Sequence, residues 1–268
     1  MKSRHNLLVA GLTVAIAACS SAAPAAPTAA PVGGEVQIYA ASSLHAVLAT
    51  AKTAYETAHP GAKLTISTDS STALETKIEQ GAPADVFLSA DTKSPQSVVD
   101  KGLASGAVVK FAGNLLTVIV PTANPAGVKT PADLANAGVK VIACAVGVPI
   151  QTYTATLLAN LVAKAGYAAD FAAKYTANVV SAEDNAGGIV TKVGLGEGDA
   201  GIVYLSDAKT SNKVITVAIP DSANVPATYG GVVVKASVNQ AAATAFLTWL
   251  AGPDGQAILA SFGFLPAS

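Results

Sequence analysis

The chain has 268 residues, 51% of them hydrophobic and 12% charged, which is enough apolar material for one or two compact α/β domains and too much for a disordered chain. All 17 acidic residues lie after position 34, and the 14 basic residues beyond Cys19 leave that part with a net charge of −3. This balance excludes the basic face that nucleic acid requires, so no nucleic-acid partner is expected.

Lys2 and Arg4 precede an apolar run from Leu7 to Ala18, which ends in Ile16-Ala17-Ala18-Cys19. The run is 12 residues long, well short of the roughly 20 needed to cross a bilayer, so residues 1–18 read as a signal peptide. Small residues before a Cys resemble the lipobox of bacterial lipoproteins, in which Cys19 becomes the lipidated first residue of the mature chain; a plain secretory signal is the alternative, and the tract that follows favours the lipoprotein. From Ser20 to Gly34 the sequence is almost only Ser, Ala, Pro, Thr and Gly, a composition that buries too little apolar surface to order itself. Residues 19–34 are therefore expected to form a lipidated Cys and a flexible tether. They would hold an exported body at the outer face of the cytoplasmic membrane. After processing only Cys144 remains, so no internal disulfide forms, and its setting in Val139–Cys144 reads as a small core residue in a strand.

In the body, short β-branched runs alternate with longer runs of helical periodicity, which predicts α/β layers with mostly parallel sheet flanked by helices. Candidate strands are Val36–Tyr39, Leu64–Ile66, Asp85–Ser89, Leu115–Val120, Val139–Cys144, Gly201–Leu205, Val214–Ile219 and Tyr229–Val234. Leu44, Val47, Leu48, Ala51 and Tyr55 share one helical stripe, as do Leu157, Leu158, Leu161 and Val162, and helices over Gln240–Leu250 and Asp254–Phe262 end the chain. Breaks in character near Phe111-Ala112-Gly113-Asn114 and Thr228-Tyr229-Gly230-Gly231 suggest crossovers. Two lobes follow, a discontinuous one over 35–114 plus 228–268 and a second over 115–227, with a cleft between them.

Ligand sites in such sheets lie at the carboxyl ends of strands, where Ser42-Ser43 and Ser70-Ser71 each separate a strand-like from a helix-like run. No Lys or Arg adjoins either pair. Alone, each is an ordinary helix cap, but hydroxyls and free N–H groups at helix starts also form a neutral cradle for an anion. Gly196, Gly198 and Gly201 match the dinucleotide pattern G-x-G-x-x-G, yet a helix-like run precedes them and the strand Ile202-Val203-Tyr204 follows, the reverse of that motif. His45 lies two residues beyond Ser43, a spacing at which helical side chains diverge, and the chain has no G-x-S-x-G elbow.

Ala40-Ala41-Ser42-Ser43-Leu44, Ser70-Ser71-Thr72, Gly81-Ala82-Pro83-Ala84-Asp85-Val86-Phe87, Ser89-Ala90-Asp91, Ala182-Glu183-Asp184, Gly201-Ile202-Val203-Tyr204-Leu205-Ser206-Asp207-Ala208 and Phe262-Gly263-Phe264 together resemble the molybdate-binding proteins of bacterial ABC importers. That resemblance spans nearly all of the body and implies the type II periplasmic-binding-protein fold. It further implies that Ser43 and Ser71 donate hydroxyls, Ile150 and Asn185 donate backbone N–H, and Tyr204 donates its phenol to one oxyanion, with Ser42 and Ser70 as secondary candidates. Ile150 and Asn185 depart from the small and aliphatic residues expected there, and the branched Ile150 bears on pocket size. The implied partners are molybdate or tungstate and a membrane permease, for a monomer that is not an enzyme. No cofactor is expected, and molybdenum is held as the oxyanion without a protein ligand to the metal. A tetrahedral dianion offers only acceptors, so a donor-only site suits it, whereas hydrogen phosphate brings a proton that meets only donors. Sulfate or thiosulfate binding is the alternative in the same fold, and a serine hydrolase using Ser43 or Ser71 is the alternative of another class.

Overall fold

The computed structural model describes residues 33–267, so the expected signal peptide, Cys19 and most of the tether lie outside the described residues. In chain order the strands are β1 (Gly34–Ala41), β2 (Ala62–Asp69), β3 (Val86–Ser89), β4 (Val109–Asn114), β5 (Leu116–Pro121), β6 (Val141–Cys144), β7 (Val179–Glu183), β8 (Ala200–Tyr204), β9 (Val214–Val217) and β10 (Ala227–Val233). The helices are α1 (His45–Ala58), α2 (Ser71–Glu79), α3 (Lys93–Asp100), α4 (Pro149–Ala165), α5 (Phe171–Ala177), α6 (Ala186–Gly194), α7 (Leu205–Ala208), α8 (Gln240–Ala251) and α9 (Pro253–Ser261).

Two five-stranded sheets result, ordered β2-β1-β3-β10-β4 and β7-β6-β8-β5-β9. Each repeats one plan. A strand pairs in parallel with two others, β1 with β2 and β3 in the first sheet and β6 with β7 and β8 in the second. Parallel neighbours need a crossover, and α1 and α2 supply it in the first sheet, as α4 to α6 do in the second. An antiparallel strand then closes each plan, β10 against β3 and β4, and β5 against β8 and β9. Both sheets are therefore mixed. The chain leaves the first sheet across the single residue Leu115 and returns to it between Val217 and Ala227.

The predicted stripes face the core: Leu44, Val47, Leu48, Ala51 and Tyr55 are buried against the first sheet, and Leu157, Leu158 and Leu161 against the second. Each of the leucines and the valine contributes about 1.5–3 kcal/mol by leaving water. Cys144 is a buried core residue, and burial, reinforced by Asp207, Glu183 and Asp184, pushes its thiol up to about 12.

Two strands escape the sequence pattern. The segment read as a break, Phe111 to Asn114, is the end of β4. Its Gly113 sits where a Cβ would come within 2.8 Å of the Pro266 carbonyl oxygen, so a glycine that reads as a turn serves the close approach of the C-terminal segment. Ser181–Glu183, absent from the candidate strands, belongs to the edge strand β7, and α6 starts only at Ala186. Leu205 begins α7 rather than ending β8, because the Asp207 carboxylate accepts the Tyr204 N–H at 3.3 Å and starts the turn. The Gly196–Gly201 run joins α6 to β8, and a Cβ on Gly201 would lie 2.3 Å from Ile189 Cγ2. That glycine lets helix approach strand and cradles no phosphate.

Candidate oxyanion site

The chain leaves β1 through a 3₁₀ turn over Ser42–Leu44 and enters α1. At the corresponding end of β2, Ser70 caps α2, its Oγ accepting the Ala73 N–H at 3.2 Å. That leaves Ser71 free of the capping role. Ser71 is buried, and its Oγ accepts the Ala90 N–H at 3.0 Å. Ser43 is buried as well and makes no cap; its Oγ lies 2.9 Å from the Tyr229 hydroxyl.

The second sheet contributes helix starts. Val148 precedes α4, whose first residue Pro149 has no N–H, so Ile150 carries the first donor of the helix, and such first-turn N–H groups have no intrahelical acceptor. The Ile150 side chain is buried in the hydrophobic core. Asn185 precedes α6 and caps it, its Oδ1 accepting the Gly188 N–H at 3.1 Å. Tyr204 ends β8, 1% exposed, with no hydrogen-bond partner for its hydroxyl among the described residues. Its ring meets Tyr229 edge-on at 5.5 Å and Tyr153 at 6.1 Å. Burial, helped by Tyr229, Tyr153, Asp207 and Asp91, pushes its phenol well above the ordinary tyrosine range, so it remains a proton donor.

All five expected residues, Ser43, Ser71, Ile150, Asn185 and Tyr204, line one cavity, and Ser42 and Ser70 share its wall. The cavity is small, with about 10 Å³ open to the centre of a water-sized sphere, room for about one water as it stands. No Lys, Arg or His lines it. The sequence reading missed Asp69, the one carboxylate on the wall. Burial pushes its carboxyl up, but Lys77 at 2.9 Å and the Ser70 N–H at 2.8 Å outweigh that and lower it overall. Both its oxygens are thus engaged by donors. Beside the cavity, Thr72 Oγ1 donates to the Gly147 carbonyl at 2.8 Å, linking the two lobes.

A wider groove of about 480 Å³ adjoins the cavity and shares Ser42, Ser43 and Asn185 with it. Asp207 and Lys213 line that groove. Burial pushes the Asp207 carboxyl up to about 7, against the opposing Tyr204 N–H. His45 also faces the groove, but its ring nitrogen is 3.5 Å from Thr68 Oγ1 and Ser43 bonds to Tyr229 instead. Ser43 therefore has no base, Ser71 Oγ meets, among the described residues, only the Ala90 N–H, which is a donor, and the hydrolase alternative fails on geometry at both serines. Among the described residues no cluster of three His, Cys, Asp or Glu side chains is placed to hold a metal ion.

Residues 36–265 match the family of bacterial extracellular solute-binding proteins. The chain belongs to this family. The solute-binding protein is 33% identical to the molybdate-binding protein ModA of Mycobacterium tuberculosis strain H37Rv, over 96% of this chain and 94% of that one. Among solved structures it resembles the substrate-binding domain of a putative molybdenum ABC transporter from Clostridium difficile, with 29% identity, a TM-score of 0.65, and coverage of 87% of this chain and 99% of that one. The sulfate-binding protein SubI of Mycobacterium tuberculosis H37Rv superposes with a TM-score of 0.77 at 20% identity, over 87% and 86% of the two chains, a likeness of fold alone. Members of this family bind solutes, and this protein is a binder rather than an enzyme. No helix among the described residues is long and apolar enough to cross a membrane.

Proposed function

We propose that the protein captures molybdate or tungstate outside the cytoplasmic membrane and delivers it to the permease of an ABC importer. The observation that carries this reading is the Tyr204 hydroxyl, buried without a partner on the wall of a small cavity that holds no Lys, Arg or His. A buried hydroxyl without a partner costs about 1–3 kcal/mol, and a tetrahedral dianion supplies the acceptor it lacks. Ser43 and Ser71 hydroxyls, the Ile150 and Asn185 N–H groups and the dipoles of α2, α4 and α6 complete the donor set. Charge-assisted hydrogen bonds of roughly 1.5–3 kcal/mol each replace the hydration of the anion without a buried cation. Molybdenum is cargo held through its oxygens, and no cofactor takes part.

Two donors come from the first lobe and three from the second, so the anion draws the lobes together and the closed form is what the permease reads. The protein acts as a monomer, tethered through a lipidated Cys19 to the outer face of the membrane. Identity of 33% to a molybdate-binding relative, against 20% to the sulfate-binding one, supports molybdate over sulfate. A thermal-shift panel with molybdate, tungstate, sulfate and phosphate tests the reading. Ligand at about 100 times its dissociation constant adds roughly 2.7 kcal/mol of stability, so molybdate and tungstate raise the melting temperature and phosphate does not. A shift with sulfate alone, or with none of the four, overturns it.

A further inference from the structure

Behind Ser43 runs a chain of hydrogen bonds that never reaches the cavity wall. Tyr229, on β10, is fully buried and its hydroxyl lies 2.9 Å from Ser43 Oγ. Asn114, at the end of β4, is also fully buried, and its Nδ2 donates to the Tyr229 hydroxyl at 3.3 Å and to Ser206 Oγ at 2.8 Å. The orientation of that amide is not free, because its Oδ1 accepts the Leu115 N–H at 3.0 Å. Asn114 therefore presents only donors to Tyr229.

The direction of the next bond follows. Either hydroxyl could donate across the 2.9 Å contact, but the Tyr229 oxygen already accepts from Asn114, and its buried proton is satisfied only if it is given to Ser43 Oγ. Burial keeps that phenol protonated, well above its ordinary range. Ser43 thus accepts from Tyr229 and spends no proton on it, leaving its own O–H for the cavity. Ser71 reaches the same state by a simpler route, since the Ala90 N–H at 3.0 Å is a donor only. Both serines have one lone pair filled from behind and a proton left for the ligand.

We propose that Asn114 and Tyr229 are positioning residues that hold Ser43 as a donor and so tune the site toward fully ionised oxyanions over protonated ones. The proposal rests on the oxyanion reading above. Tyr229→Phe keeps the ring, with its edge contacts to Tyr204 at 5.5 Å and Phe264 at 5.4 Å, and removes the hydroxyl, and with it both the proton that fills Ser43 and the oxygen that accepts from Asn114. The freed lone pair of Ser43 then accepts the proton of hydrogen phosphate or hydrogen arsenate, at the expense of anions that carry none.

The test is titration calorimetry on wild type, Ser43→Ala and Tyr229→Phe with molybdate, sulfate and phosphate at neutral pH, beside thermal melts without ligand. Wild type must bind molybdate and Ser43→Ala must weaken it; if either fails, the oxyanion reading itself falls. Given both, Tyr229→Phe weakens molybdate and narrows the ratio of molybdate to phosphate affinity by about tenfold, while sulfate, which carries no proton, moves with molybdate. A Tyr229→Phe protein that melts like wild type and keeps the wild-type ratio overturns the proposal. So does an equal loss for all three anions, which marks Tyr229 as mere packing. Should Tyr229→Phe melt far below wild type, Asn114→Leu gives the same readout, since it removes the donor that turns the Tyr229 proton toward Ser43; an unchanged ratio there also overturns it.

Discussion

In the first lobe, Ser43 and Ser71 reach the cavity as side chains whose oxygens are already engaged, by Tyr229 and by the Ala90 N–H. In the second, Ile150 and Asn185 offer backbone at the starts of α4 and α6, and Tyr204 offers a phenol with no partner. The first lobe holds its serine oxygens engaged from behind before a ligand arrives, with one proton on each left for it, whereas the second lobe carries a phenol that burial has left with no partner among the described residues. On the cavity wall the unpartnered side chain is thus on the second lobe, while the first lobe's own unpartnered hydroxyl, Tyr55 in α1, is not among the residues that line it. The two sides of the cleft should answer differently to pH and to mutation.

The largest expected effect belongs to Asp207, in α7 of the second lobe. Its folded carboxyl titrates near 7 against an ordinary 3.8. Between those values the folded protein holds a proton that the unfolded chain has lost, so stability falls as pH rises, by about 1.4 kcal/mol per unit. Denaturant melts from pH 4 to 8 check this, and Asp207→Asn, which keeps an acceptor for the Tyr204 N–H, should flatten the slope. A wild-type protein whose stability is level over that window shows that the second lobe has compensated this burial after all.

Next comes the contrast between Tyr204→Phe and Ser71→Ala. Each removes one charge-assisted donor, so each should weaken molybdate by about 10- to 150-fold in calorimetry. Without ligand they should part. Tyr204→Phe deletes a hydroxyl that has no partner and leaves stability equal or higher. Ser71→Ala strips the Ala90 N–H of its acceptor and costs about 1–3 kcal/mol. Equal apo melting temperatures for the two variants would break the comparison.

The smallest effect is at Ile150, whose part in the site is assigned to its backbone. Ile150→Val should cost about 0.5–1.5 kcal/mol of stability and change molybdate affinity by no more than about threefold. A larger change in affinity would mean that its side chain shapes the pocket.

Much of this was legible in the sequence because it rests on local periodicity. The stripe of Leu44, Val47, Leu48, Ala51 and Tyr55, and the β-branched runs that became β1, β2, β5 and β8, announce themselves within a few residues. β4 and β7 did not. β4 hides because Gly113 answers to a tail more than a hundred residues away, and β7 because an edge strand half open to water carries Ser181 and Glu183 like a helix start. At the site, neighbouring hydroxyls such as Ser70 and Ser71 look alike until a cap claims one of them. Asp69 and Tyr229 left no signal at all, since their parts depend on Lys77 and on Asn114, partners that only folding brings together.

The most direct measurement is a crystal structure of the molybdate complex with anomalous scattering from molybdenum. The account predicts one peak in the small cavity, with the oxygens of the anion about 2.7–3.2 Å from Ser43 Oγ, Ser71 Oγ and the Tyr204 hydroxyl. A peak in the wider groove beside Lys213, with Tyr204 still unpartnered, would contradict it.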